Sequence, residues 1–269
     1  MLVRRWLMIG AAVCLTACQT VQTTQPGAVG VDRKQHMLVS EQQVEEGAKV
    51  AYQQELDKAK AEGALNRDQQ QVKRVQSIAQ RLIAQTSSFR PDATQWNWEV
   101  NVQQSKDVNA YCMPGGRIMV YSGLIDTLQA TDAELAAVIG HEIAHALREH
   151  SRERMSRAYA EQLALAGIAV ATGAGEGTMA LASQVSAVTF QLPHSREQEA
   201  EADRIGLELM ARAGYDPNAA VSLWQKMAKA NAGGPPEFLS THPSGDSRIR
   251  DLQASIPSVE ALYQQAAGR

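Results

Sequence analysis

The residues with the most chemical consequence are His141 and His145, four apart in the run HEIAH, with Glu142 directly after the first of them. On a helix, residues four apart project from one face, one turn from each other, where two imidazoles can hold a single divalent ion. Glu142 lies beside them, close enough to take a proton from a water activated there. This is the H-E-x-x-H pattern of zinc peptidases. A catalytic zinc takes three protein ligands and keeps one open position, so a third ligand must come from elsewhere in the chain. The run REQEAEADR offers Glu197, Glu199, Glu201 and Asp203. Glu199 and Asp203 share one helix face, and Glu197 and Glu201 share another. One pair can face a metal while the other is solvated, and spacing does not choose between them. His150, five residues past His145, is rotated off the ligand face and is not counted as a ligand.

These side chains need rigid carriers. Thr131 to His150 has apolar residues at Leu135, Val138, Ile139, Ile143, Ala146 and Leu147, a helical period. Thr131 is a suitable N-cap, and Glu134 three residues on completes a capping box. Further helices are expected at Glu41 to about Lys60, Asp68 to about Thr86, from the acidic run to about Gly214, from Pro217 to about Ala230 behind Asp216 as N-cap, and in a closing stretch to about Gln265. Trp96 to Val102 alternates apolar and polar residues as a half-buried strand does, and Asn109 to Met113 and Arg117 to Tyr121 flank a Pro114-Gly115-Gly116 turn. The charged run Arg148 to Arg157 reads as a solvated helix face. Leu163 to Phe190 is apolar but is interrupted by Gly173 to Gly177, so neither half spans a bilayer. The expectation there is two helices joined by a Gly-rich loop placed to act as a lid. There is no internal repeat.

The N-terminus reads as an export signal. Arg4 and Arg5 precede an apolar stretch from Trp6 to Ala12, and Leu15-Thr16-Ala17-Cys18 has the order of a bacterial lipobox. Residues 1–17 are then a lipoprotein signal peptide and Cys18 is the acylated first residue. Residues 18–40 form a flexible polar tether, and residues 41–269 form the catalytic domain. Gln19, where an Asp would favour inner-membrane retention, favours the outer membrane, with the domain facing the periplasm of a Gram-negative cell. The formal charge of −3 gives no reason to expect nucleic acid as a partner. Cys14 leaves with the signal and Cys18 is acylated, so Cys112 has no intrachain partner. Cys112 is a small buried strand residue or, less simply, a cysteine switch on the metal.

Four pieces, NAYCMPGGRIMVYSGLI, AAVIGHEIAHALREH, SREQEAEADRIGL and THPSGDSRI, stand in this order between about Glu41 and Arg250. The set resembles the zinc metallopeptidase family of the CAAX prenyl proteases and HtpX, and most of all its periplasmic branch of the BepA, LoiP and YcaL type. The resemblance implies an α+β, mainly helical fold, one zincin-type (gluzincin-like) domain with a small antiparallel sheet. It implies one zinc per subunit held by His141, His145 and Glu199, with Glu142 as general base and Asp203 buttressing His141. It also implies that His242 can serve as a fourth, displaceable ligand that keeps the resting enzyme closed. Asn109 and Ala110 resemble the edge strand along which an extended substrate pairs through its main chain. Arg248 and His242 are candidates to meet the developing oxyanion.

The function these features point to is hydrolysis of peptide bonds in misfolded or misassembled envelope proteins, which are the expected partners along with the membrane reached through Cys18. The alternative is a chaperone-like assembly factor with a self-inhibited zinc site.

Overall fold

The computed structural model describes residues 19–166, 177–230, 237–242 and 246–268. Along the chain these form β1 (Gln19–Val21), β2 (Gln35–Met37), α1 (Glu41–Ala61), α2 (Gln69–Ile83), β3 (Glu99–Gln103), β4 (Ala110–Met113) and β5 (Arg117–Tyr121). Then follow α3 (Ser122–Leu128), α4 (Asp132–Leu147), α5 (His150–Ala166), α6 (Thr178–Phe190), α7 (Arg196–Arg212), α8 (Asn218–Ala230), α9 (Glu237–Thr241) and α10 (Asp246–Ala266). The architecture is α+β and mainly helical. Among the described residues, no helix is long and apolar enough to cross a membrane.

Helix α4 is the centre. Thr131 and Glu134 form the reciprocal capping box, and every residue from Glu134 to Leu147 is buried. A helix buried on all sides needs partners on all sides. Helices α2, α7 and α8 and strand β4 supply them. The crossing with α7 is the closest, because glycines meet there. A Cβ at Gly206 would lie 2.8 Å from the His141 nitrogen and 3.0 Å from the Gly140 carbonyl carbon. Gly206→Ala is therefore expected to force α4 and α7 apart and to destabilise the protein by about 1–3 kcal/mol. Urea titration checks this, and an unchanged midpoint would mean that the crossing relaxes freely.

The strand order β3-β5-β4 makes β4 an edge. The small antiparallel pairing expected is present, with one parallel strand added to it. β4 and β5 pair antiparallel through the Gly115 and Gly116 turn, but β3 runs parallel to β5. Both faces of β5 are covered. Ile118 and Val120 join the main core with α2, α4, α7 and α8, while Met119 and Tyr121 join a second core under α1 and α6. Of the apolar stretch after α4, residues 163–166 close α5 and residues 178–190 form α6, while residues 167–176, with most of the first expected helix and of the candidate lid loop, lie outside the described residues.

Two expectations fail on burial. Residues 19–40 are not a free tether. Strands β1 and β2 pair, Thr24, Val31, Gln35 and Met37 are buried, and the folded unit includes them. The charged run Arg148 to Arg157 is not a solvated face either, for Arg148, Glu153, Arg154 and Ser156 are all buried. The two surprises explain each other, because the N-terminal segment brings the counter-charge. Arg33 grips Glu153 through both carboxylate oxygens, at 2.5 and 2.9 Å, and Gln35 and Gln198 donate to the same carboxylate. Burial alone would raise the Glu153 carboxyl, but these bonds overcome it and hold the group down to about 2 from an ordinary 4.5. A depressed carboxylate contributes stability above its unfolded value and loses it as pH falls through the folded one. About 3 kcal/mol is expected to disappear between pH 4.5 and 2. Melting temperatures followed down that range should fall more steeply for the native chain than for Glu153→Gln, and parallel curves would refute the assignment.

Candidate metal centre

His141 and His145 leave α4 on one face with their Nε2 atoms 3.0 Å apart. Glu199, in the first turn of the crossing helix α7, brings Oε1 to 3.4 Å from His145 Nε2 and Oε2 to 3.6 Å from His141 Nε2. Ser195 caps α7 through a capping box with Gln198, which fixes where that helix begins and so where Glu199 points. His242, just past α9, adds Nδ1 at 2.9 Å from Glu199 Oε1 and 3.3 Å from His141 Nε2. These four buried groups offer donor atoms within 4.8 Å of one another. Burial would raise the Glu199 carboxyl, but His242 and Arg248 beside it keep it well below the usual carboxylate range. Burial also holds His145 well below its ordinary value, in the neutral form that a metal needs.

The remaining candidates take distinct places. Glu142 is buried next to this cluster but outside it, and its Oε1 has no hydrogen-bond partner. His242 Nε2 is 3.5 Å from that oxygen, and burial raises the Glu142 carboxyl. Asp203 Oδ1 lies 3.0 Å from His141 Nδ1, the place of a carboxylate that orients a ligand histidine. Of the two acidic pairs left open by spacing, Glu199 and Asp203 face the histidines. The other pair splits, since Glu197 is exposed while Glu201 is buried.

Arg248 is not placed to meet a substrate oxyanion. Its guanidinium donates to both oxygens of Asp203, at 2.6 and 2.7 Å, and to Glu199 at 2.5 Å, and it lies 3.5 Å over the Trp224 ring. It is a positioning residue for the two carboxylates. Asn109 and Ala110 lie at the start of the edge strand β4, where the Asn109 side chain accepts from the Ala110 N–H. Cys112 is buried, donates its thiol to the Met113 carbonyl, and is pushed up by that burial. It does not join the cluster of possible ligands found among the described residues. Cys18 lies outside the described residues.

Histidines that sequence reasoning passed over also gather here. His150 Nδ1 is 2.7 Å from His145 Nδ1. His194 stacks on the far side of His242, so that His242 sits between Phe238, 4.3 Å away, and His194, 4.8 Å away. The backbone N–H of His194 donates to the Thr241 carbonyl, and that of Phe238 donates to the Val108 carbonyl just before β4. The segment that carries His242 is thus pinned at both ends. Nothing in the local sequence marks His194. His150 is hidden in the sequence because the helical period runs on through it, whereas α4 ends at Leu147.

The model of peptidase family M48 matches residues 69–256, the stretch that carries His141, Glu142, His145, Glu199, Asp203, His242 and Arg248. The chain belongs to peptidase family M48. Among M48 relatives, the mitochondrial metalloendopeptidase OMA1 of Arabidopsis thaliana is 39% identical over 64% of this chain and 35% of its own length. The Schizosaccharomyces pombe counterpart is 36% identical over 61% of this chain and 48% of its own. A putative beta-barrel assembly-enhancing protease of Vibrio cholerae is 32% identical over 66% of this chain and 37% of its own. The chain thus spans between a third and a half of the lengths of these relatives. Mitochondrial and bacterial relatives both match, so the comparison gives the M48 family and no branch of it.

Proposed function

We propose that this chain is a zinc-dependent endopeptidase that cuts misfolded or misassembled proteins of the bacterial envelope. The observation that carries the reading is the convergence of His141, His145 and Glu199 beside a buried, unpaired Glu142 oxygen. Two imidazole nitrogens and a carboxylate are a donor set that suits zinc, and the retained Glu142 is superfluous in a purely structural site. Zinc held by these three residues would polarise a scissile carbonyl and acidify a water. Glu142 accepts the proton of the attacking water at its free oxygen and returns it to the leaving amine. Asp203 fixes the ring of His141 through Nδ1, and Arg248 fixes Asp203 and Glu199 together.

His242 serves as the displaceable fourth ligand. Its Nδ1 faces Glu199 and His141 while its Nε2 faces Glu142, so one ring covers the ligands and the base and holds the resting enzyme closed. Asn109 and Ala110 open the edge strand that pairs with an extended substrate, a mode that reads little side-chain identity and suits unfolded clients. The name of the Vibrio cholerae relative, which concerns β-barrel assembly, supports an envelope setting. The lipobox order supports an acylated Cys18 and an outer-membrane position facing the periplasm. Nucleic acid has no part in this reading.

The covered site also favours a second reading, a chaperone-like assembly factor that seldom cuts. Casein hydrolysis by the whole chain separates the two. Cleavage that stops with chelator and returns with zinc supports the peptidase. Intact casein under every condition, with zinc bound, supports the factor.

A further inference from the structure

We infer that His150 and Glu201 position the metal ligand His145, and that Arg33, on the N-terminal segment, locks them in place. The inference rests on the metal-centre reading above, and it concerns residues to which that reading gives no role.

The relay starts at a break in the chain. Helix α4 ends at Leu147, and Glu149 adopts a left-handed conformation with φ of 50°. The turn swings His150 back over the last turn of α4, and its Nδ1 comes to 2.7 Å from His145 Nδ1. That is a hydrogen-bond distance, and it involves the nitrogen of His145 that points away from the ligand cluster, since Nε2 is the atom beside His141 Nε2. The Nε2 atom of His145 faces the ligand cluster and must be free of hydrogen to bind there, so Nδ1 carries the hydrogen and donates to His150. His150, now an acceptor at Nδ1, donates from Nε2 to Glu201 Oε2 at 3.0 Å. Each ring then has one donor and one acceptor, both used.

Glu201 is itself held from two directions. Arg148, fully buried, donates Nε and Nη2 to Oε2 at 3.1 Å each. Arg33 donates Nε to Oε1 at 2.6 Å and Nη2 to Oε2 at 3.0 Å. The N-terminal segment also closes around Arg148. Thr23 Oγ1 and the Arg33 carbonyl accept from its guanidinium, and Gln35 donates to its carbonyl. The two ligand histidines are thus buttressed on the same plan. His141 meets its carboxylate directly, and His145 meets one through a second imidazole. The second buttress depends on residues 23–35, which lie outside the stretch that the M48 model matches.

The test is the zinc affinity of the full chain, by competition with a chromophoric chelator, and the visible absorption of the Co²⁺-substituted protein. Outer partners of ligand histidines carry 10–100-fold in metal affinity. Glu201→Gln and His150→Leu are each expected to weaken zinc binding by roughly that factor. Both should shift the Co²⁺ bands, and the double variant should be no weaker than the weaker single one. Arg33→Ala, remote from the metal, should weaken binding by a smaller factor, with Arg33→Lys between it and the native chain. Far-UV circular dichroism shows that the variants are folded. If His150→Leu does not fold, the nearly isosteric Glu201→Gln and the Arg33 pair still decide. Affinities within twofold of the native chain with unchanged Co²⁺ bands would overturn the inference, and so would an effect at His150 not shared by Glu201. A native chain that binds no zinc would instead sink the metal-centre reading, and this inference with it.

Discussion

Glu142→Gln is expected to lower casein hydrolysis by about 10²–10⁴-fold, the usual worth of a positioned general base. The amide keeps the shape of the side chain in its buried site but cannot accept a proton. Glu142 is not one of the four clustered ligand groups, so zinc affinity should stay close to native. Burial lifts its carboxyl toward the working range of a base, while the absence of a hydrogen bond on Oε1 leaves that oxygen ready to take a proton. The measurement is initial rate alongside zinc content. A variant that keeps zinc and more than a tenth of the native rate would remove Glu142 from the chemistry.

His242→Ala is expected to act in the opposite direction. If the ring that faces Glu199, His141 and Glu142 keeps the open form to a minor state, the observed rate is reduced by that minor fraction. Minor states commonly make up 0.1–10% of a population, so a gain of roughly 10–1,000-fold is expected. The stacking of the His242 ring between Phe238 and His194 is what the ring gives up on opening. His194→Ala should therefore raise the rate too, by less. A rate unchanged or lower in His242→Ala, with zinc affinity intact, would make His242 a fixed structural residue.

The part of the site that sequence made legible is the part written in local signals. The Thr131 and Glu134 capping box and the apolar period placed α4 to within a residue at its start, and with it the shared face of His141 and His145. The pairing of Glu199 with Asp203 was not local. Spacing left two acidic pairs equal, and only resemblance separated them. His150 was hidden for a physical reason. Nothing about a glutamate announces a left-handed residue, since the side chains that favour it are Gly, Asn and Asp, and yet the turn at Glu149 decides where His150 goes. Arg148 and Glu153 were misread because their burial depends on Arg33 and Gln35, more than a hundred residues earlier in the chain. Charge patterning within a helix cannot reveal a partner at that distance.

The docked N-terminal segment also sets a leash length. A free chain of about twenty polar residues would let a body wander roughly 25 Å from its point of attachment. Here Gln19 is already paired with Met37 in the first two strands, so no slack remains between residue 18 and the folded body. With Cys18 acylated, the protease would sit flush against the lipid and turn with it. Its catch would be limited to chains that emerge at the membrane surface, and clients diffusing in the open compartment would pass out of reach. Polar residues inserted between Cys18 and Gln19 would lengthen the leash without touching the cleft.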